Sequence, residues 1–88
     1  MTLKEGFILH QICGEYIVVG EGLAQVNFNR MLSLNASAAY LWEHLVGKDF
    51  TQEDMVNLLL EQYEVTREQA AQDVQNLVKV WLEQGVVE

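Results

Sequence analysis

The chain has no proline, a single cysteine and only five Lys and Arg residues among its 88. Each shortage excludes something. Half of the residues are hydrophobic, and with no proline to break elements the sequence is not a disordered tail or linker. Such segments bury too little apolar surface to offset chain entropy. One cysteine, Cys13, cannot close an internal disulfide, so a reducing, cytoplasmic compartment is expected. Long apolar runs are also missing. "YIVVG" and "VNLLL" fall far short of the roughly 20 residues that a membrane-spanning helix needs. The opening "MTLKEGFILHQICGEY" lacks the cationic, apolar and small-residue order of a secretory signal. Thirteen acidic residues face the five basic ones, for a formal net charge of −8. Nucleic-acid binding neutralises phosphates with Lys and Arg, and this chain has few. A basic partner segment suits the balance better, beside the plain use of acidic surface for solubility.

What is present reads as one α+β domain, residues 1–88, with a β part over 1–34 and a helical part over 35–88. A chain of this length buries roughly 60–65% of its unfolded surface, enough for one core. "FILHQIC", Phe7 to Cys13, alternates Phe7, Leu9 and Gln11 on one face with Ile8, His10 and Ile12 on the other. Gly14-Glu15 separates it from "YIVVG", and two such runs around a short glycine turn predict a hairpin. "GEGLAQ" reads as a loop, "VNF" as a further extended piece, and Asn29-Arg30 as a turn into "MLSL". In that last run Leu32 and Leu34 share one side, Met31 and Ser33 the other.

Asn35 marks an abrupt change of period. It is a good N-cap, and Ala38, Leu41, Trp42 and Leu45 then recur at helical spacing until Gly47 stops the helix. A second helix is predicted from Thr51, with Glu53 and Asp54 in its first turn, where the dipole favours acids. Its apolar stripe is Met55, Leu58, Leu59 and Tyr63. A third is predicted from Thr66, where Thr66 and Gln69 match a capping box. It carries Ala70, Val74, Leu77, Val78, Trp81 and Leu82 as far as Gly85. The expected architecture is a small antiparallel sheet of about three strands packed on a three-helix bundle, winged-helix-like in outline.

Catalytic signals are thin. "GEG" has neither the further glycines nor the Lys-Ser/Thr of a phosphate loop. His10, His44, Cys13 and the carboxylates show no ligand spacing, so no metal and no cofactor are expected. Cys13 closes an apolar run and reads as a buried, inert thiol. The acid pair Glu53/Asp54 is accounted for by helix capping. Core packing is the default for Trp42 and Trp81, although a Trp so late on the last helix also suits a groove wall. No catalytic residue is expected.

The run "LSLNASAAYLWEHL", followed by "VNLLLEQYEV" and "AAQDVQNLVKVWLEQGVV", resembles the PqqD family. The marks are Ser33-Leu34-Asn35 at the end of a strand, a small-residue turn into "AAYLWEHL", Asp73-Val74 on the third helix, and Gly85-Val86 after it. The chain departs from the pattern at Asn29-Arg30, where an Asn-Gly turn is expected. The resemblance implies a stand-alone recognition element for ribosomally made, modified peptides. Such a domain is no enzyme: it holds the leader of a precursor peptide while a modifying enzyme, for example a radical SAM enzyme, acts elsewhere on it. It implies that the leader adds as an antiparallel strand to the third strand, in a groove bordered by the third helix. Carried over, the peptide-binding residues are Met31, Leu32, Ser33 and Leu34 on the strand, with Val74, Leu77, Val78 and Trp81 on the helix. Periodicity leaves open which side of that helix faces the core. Quinone cofactor synthesis does not follow from the resemblance.

Two other readings share the outline. A winged-helix DNA-binding domain would present basic or amide side chains on its recognition helix, whereas here that helix offers Glu68, Gln72, Asp73, Gln75, Asn76, Lys79 and Glu83. A structural or dimerising subunit would pair its free strand edge with its own copy. For the peptide-binding reading a monomer or weak homodimer is expected, with no nucleic acid or membrane as partner.

Overall fold

The computed structural model describes residues 1–20 and 31–88. Within them run three strands and then three helices: β1 (Phe7–Ile12), β2 (Glu15–Gly20), β3 (Met31–Leu34), α1 (Ala36–Leu45), α2 (Gln52–Gln62) and α3 (Arg67–Gln84). This is the expected α+β order. The expected loop and turn over Glu21 to Arg30, with the "VNF" piece and Asn29-Arg30, lie outside the described residues.

The sheet is antiparallel in the order β1-β2-β3. Cys13 and Gly14 form the β1–β2 turn, both at positive φ (51° and 79°), the geometry a two-residue hairpin loop requires. Cys13 therefore sits in the turn, and its thiol is exposed. That corrects the expected buried cysteine: the apolar run ends one residue earlier, and the hairpin needs position 13 at its tip. Across the sheet, Leu9 pairs with Val18 and Val18 with Leu32, while Tyr16 pairs with Leu34. Val18 and Leu34 are buried, and Phe7, Leu9, Tyr16 and Leu32 pack against the core. The opposite face carries Ile8 and Ile12, both exposed. The period-2 pattern of the sequence is thus realised, with its apolar-in face set by Val18 and Leu34.

The helices begin where their caps stand. The Asn35 side chain accepts the Ala38 amide at 2.8 Å and the Ser37 hydroxyl at 3.0 Å. Thr51 and Asp54 close a reciprocal box, each side chain accepting the other's amide (3.1 and 2.9 Å). At Thr66 only half of the expected box forms. Its hydroxyl accepts the Gln69 amide at 3.1 Å, while the Gln69 side chain turns down the helix to donate to Asp73 Oδ1 at 2.9 Å. Gly85 ends α3 in the left-handed conformation (φ 74°), where glycine bears no Cβ penalty.

The core gathers the predicted stripe of α1 (Ala38, Leu41, Trp42, Leu45), with Met55, Val56 and Leu59 of α2. From α3 it takes Ala70, Val74, Val78 and Trp81. Trp42 and Trp81 meet edge to face with ring centroids 5.4 Å apart, a preferred aromatic geometry. Leu82, expected in the stripe, is 57% exposed instead. The last periodic apolar residue falls one step beyond the face that Trp81 closes. Outside the named elements, a short backbone lattice ties the ends together. Thr2 and Glu88 exchange N–H···O bonds of 2.8 and 2.9 Å, and Lys4 donates to Val86 at 2.9 Å. Val86 and Val87 are thereby buried.

Candidate functional site

A sheet edge and a groove meet at Asn35. Among the described residues β3 pairs only with β2, so its other edge carries no strand. Backbone groups of successive residues in an antiparallel strand point alternately to the two edges. A four-residue strand therefore turns two residues outward, offering about four hydrogen-bonding groups to a guest. Side chains do not obstruct that edge from within: Leu34 is buried on the core face and Leu32 packs beside it. The Asn35 cap fixes the end of the strand by committing its side chain to the first turn of α1.

Beyond Asn35 the surface opens into two adjoining hollows. One, about 330 Å³, lies between the first turns of α1 (Asn35, Ser37, Ala38, Leu41), Leu59 of α2, and Asp73, Asn76, Leu77 and Val80 of α3. The other, about 390 Å³, is lined by Asn35, Ala36, Ser37, Leu59, Tyr63, Val65 and Asp73. The floor is aliphatic and the rim polar, the usual composition of a site that buries side chains. Among the described residues Asp73 is the one charged residue lining either hollow.

The structure divides the candidate residues of the third helix. Trp81 (0% exposed), Val74 (1%) and Val78 (4%) lie in the core, and they do not line the groove. Leu77, half-buried, does line it. The reason is helical geometry. At 3.6 residues per turn, positions 70, 74, 78 and 81 form one stripe, while 73, 76, 77 and 80 form a second about 100° around the axis. Only the first is apolar enough to announce itself. The second was marked in the sequence by Leu77 and Val80, an aliphatic pair at (i, i+3) beside the main stripe. Val80 is 41% exposed, the signature of a helical apolar residue that the core does not use. Sequence reasoning missed Val80, Asn76, Leu41 and Leu59 as groove residues. Met31, Leu32, Ser33 and Leu34 do form the edge strand, which runs into the groove at Asn35.

The Trp81 indole nitrogen is buried with no hydrogen-bond partner among the described residues. His44 meets Tyr40 with the rings tilted by 49° and their centroids 4.4 Å apart, and Tyr40 meets Tyr63 edge to face at 6.0 Å. Among the described residues no group of three or more His, Cys, Asp and Glu side chains is placed to hold a metal ion. No helix of the described residues is long and apolar enough to cross a membrane.

An α+β domain with a free edge strand leading into an apolar groove is built to receive an extended segment of polypeptide. The particular family follows from comparison: the model for coenzyme PQQ synthesis protein D (PqqD) matches residues 15–87, and the chain belongs to that family. No curated protein is significantly similar to it. Among solved structures, the chain is similar to TbiB1 in complex with the TbiA(beta) leader peptide, with a TM-score of 0.76 and 16% identity. That match covers 100% of this chain and 95% of the other. It is also similar to a lasso peptide synthetase B1 complexed with the leader peptide, with a TM-score of 0.72 and 22% identity over 98% and 94% of the two chains. At these identities the likeness is one of fold.

Proposed function

We propose that the protein is a recognition domain, spanning the whole chain, that captures the leader segment of a ribosomally made precursor peptide and presents it to a modifying enzyme. The observation that carries this reading is the unpaired edge of β3 running into a groove floored by Leu41, Leu59, Leu77 and Val80. Membership of the PqqD family supports it. So do the two similar structures, each of which holds a leader peptide. The role is non-catalytic binding in the cytoplasm, where the exposed Cys13 thiol stays reduced. Met31 to Leu34 supply the pairing edge and Leu77 the helix wall. Val74, Val78 and Trp81 act from behind, seating α3 so that its second stripe faces the guest.

The energetics divide the labour. About four backbone hydrogen bonds at ~0.5–1.5 kcal/mol each roughly offset the ~2–5 kcal/mol needed to order a disordered leader. Net affinity then comes from side chains buried in the hollows, at ~1.5–3 kcal/mol for each large apolar group. Three anchors near the top of that range supply ~8–9 kcal/mol, a dissociation constant on the order of micromolar. Pairing on β3 sets register, and the groove sets specificity.

The test is direct. The genes around this one are searched for a short precursor reading frame, and its leader is synthesised with a fluorescent label and titrated with the protein. Saturable anisotropy at micromolar concentrations is expected, with slowed amide exchange confined to β3 and the first turn of α1. Absence of saturation, or protection elsewhere on the surface, refutes the proposal.

A further inference from the structure

The groove also says what kind of peptide it takes. We infer that the captured segment carries a Lys or Arg next to its apolar anchor, and that Asp73 receives this cation. The inference rests on the peptide-binding reading above. Asp73 lines both hollows and is the one charged residue in either among the described residues. It therefore stands where the two hollows adjoin, on the same lining as Asn35 at the end of β3. Its Oδ1 accepts one bond, from Gln69 at 2.9 Å, and an ionised carboxylate has room for about three more. No Lys or Arg of the described residues is paired with it: Arg67 hydrogen-bonds Asn57 instead, and the terminal ammonium pairs with Asp49. Lys79 lies on the far side of α3, roughly 120° of helical turn from Asp73.

One local field opposes the cation. The first turn of α1, with no acid of its own, faces Asp73 across the hollows, and its dipole is worth about half a positive charge. The full charge of Asp73 exceeds it, and Asn35 already occupies the Ala38 amide. The net field in the groove is negative and agrees in sign with the chain's −8. An acidic residue at that place in the peptide would meet Asp73 unpaired, so the site discriminates by repulsion as well as attraction.

The experiment uses a displayed library of random 12-residue peptides, sorted separately against the labelled full-length wild type, Asp73→Asn and Asp73→Lys. Asp73 is exposed, so both variants fold, which thermal melts verify. Wild type is expected to enrich peptides that pair a large apolar residue with Lys or Arg. Asp73→Asn keeps the apolar preference and loses the basic one, and Asp73→Lys replaces it with Asp or Glu. For one enriched peptide, Lys→Ala weakens binding on the order of fivefold, as for an exposed ion pair. The difference collapses in about 0.5 M salt, where the Debye length falls to a few ångström. Enrichment of apolar peptides with no basic preference overturns the cation inference and leaves groove binding standing. A basic preference that survives in Asp73→Asn also overturns it, since overall charge then explains the bias. Failure of wild type to enrich any peptide overturns the groove reading and the inference together.

Discussion

Replacing Trp81 by alanine separates a core residue from a groove residue, because the two roles give opposite patterns of stability and binding. Trp81 is fully buried against Trp42, so Trp81→Ala removes a large ring from a packed core and costs about 3–5 kcal/mol. At roughly 0.05–0.15 kcal/mol per residue, a chain of this size has ~4–13 kcal/mol in total. The variant therefore stands at the margin of folding. With a urea m-value of about 1–1.5 kcal/mol/M for a small domain, the midpoint falls by ~2–5 M. Trp81→Phe keeps an aromatic partner for Trp42 and deletes an indole N–H that has no acceptor among the described residues, so its cost stays below about 2 kcal/mol. Leu77→Ala gives the reverse pattern. Leu77 is half-buried and loses ~1 kcal/mol of stability, while a peptide anchor resting on it loses about tenfold in affinity. Urea titrations followed by circular dichroism, with anisotropy titrations of each folded variant, read both quantities. If Trp81→Ala keeps its midpoint and loses only binding, the assignment of the α3 faces is refuted.

Adjacent amides of β3 point to opposite edges, so Leu32→Pro and Ser33→Pro tested together should split. One weakens peptide binding at least tenfold by removing an outward donor; the other breaks the ladder to β2 and lowers the melting temperature. Unchanged binding in both removes β3 as the docking edge. Thr51→Ala, which opens the reciprocal cap with Asp54, costs ~1 kcal/mol and lowers the melting temperature by several degrees. Gly85→Ala meets open space and is penalised about 1 kcal/mol through its positive φ alone, so a neutral result would show that α3 frays before that residue. Mixed-sequence duplex DNA at 50 mM salt should show no gel shift; a salt-dependent shift would restore the nucleic-acid reading.

The parts of the fold that were legible in the sequence are those where one residue type solves one local problem. Asn35, Thr51 and Thr66 are caps because each is the side chain that satisfies an orphan amide beside a periodic apolar run,. The alternation in Phe7–Ile12 gave the two faces of β1 but not which one is inner; the burial of Val18 and Leu34 selects it. What failed to show did so for equally physical reasons. Cys13 was misread as buried since nothing in an apolar run states where the hairpin tip falls; its φ of 51° is a property of the turn. The exchange of Thr2 and Glu88 backbone bonds joins residues too distant in sequence for any periodicity to register. β3 is legible from its alternation, while on α3 the stronger apolar stripe marks the side that the core consumes.

That division of α3 explains how so short a chain can have both a core and a binding surface. A helix that shows the core a stripe of Ala70, Val74, Val78 and Trp81 is held by burial alone,. Its second stripe is then free to differ, and it does: an acid, an amide and two aliphatics at 73, 76, 77 and 80, with Gln69 reaching down to hold Asp73 rather than closing its own cap. A closed cap at Thr66 would add a few tenths of a kcal/mol to about 1. Placing the Gln69 amide on Asp73 instead orients a carboxylate at the mouth of the groove. Here the local optimum for stability and the observed arrangement part company, and the departure coincides with the proposed binding surface. The same logic holds at "RMLSLNASAAYLW". Asn35 switches strand to helix within one residue, which ends β3 at Leu34, four residues into its described length. The short edge is too small to invite runaway pairing, yet long enough to fix the register of a guest whose affinity is decided in the groove beyond.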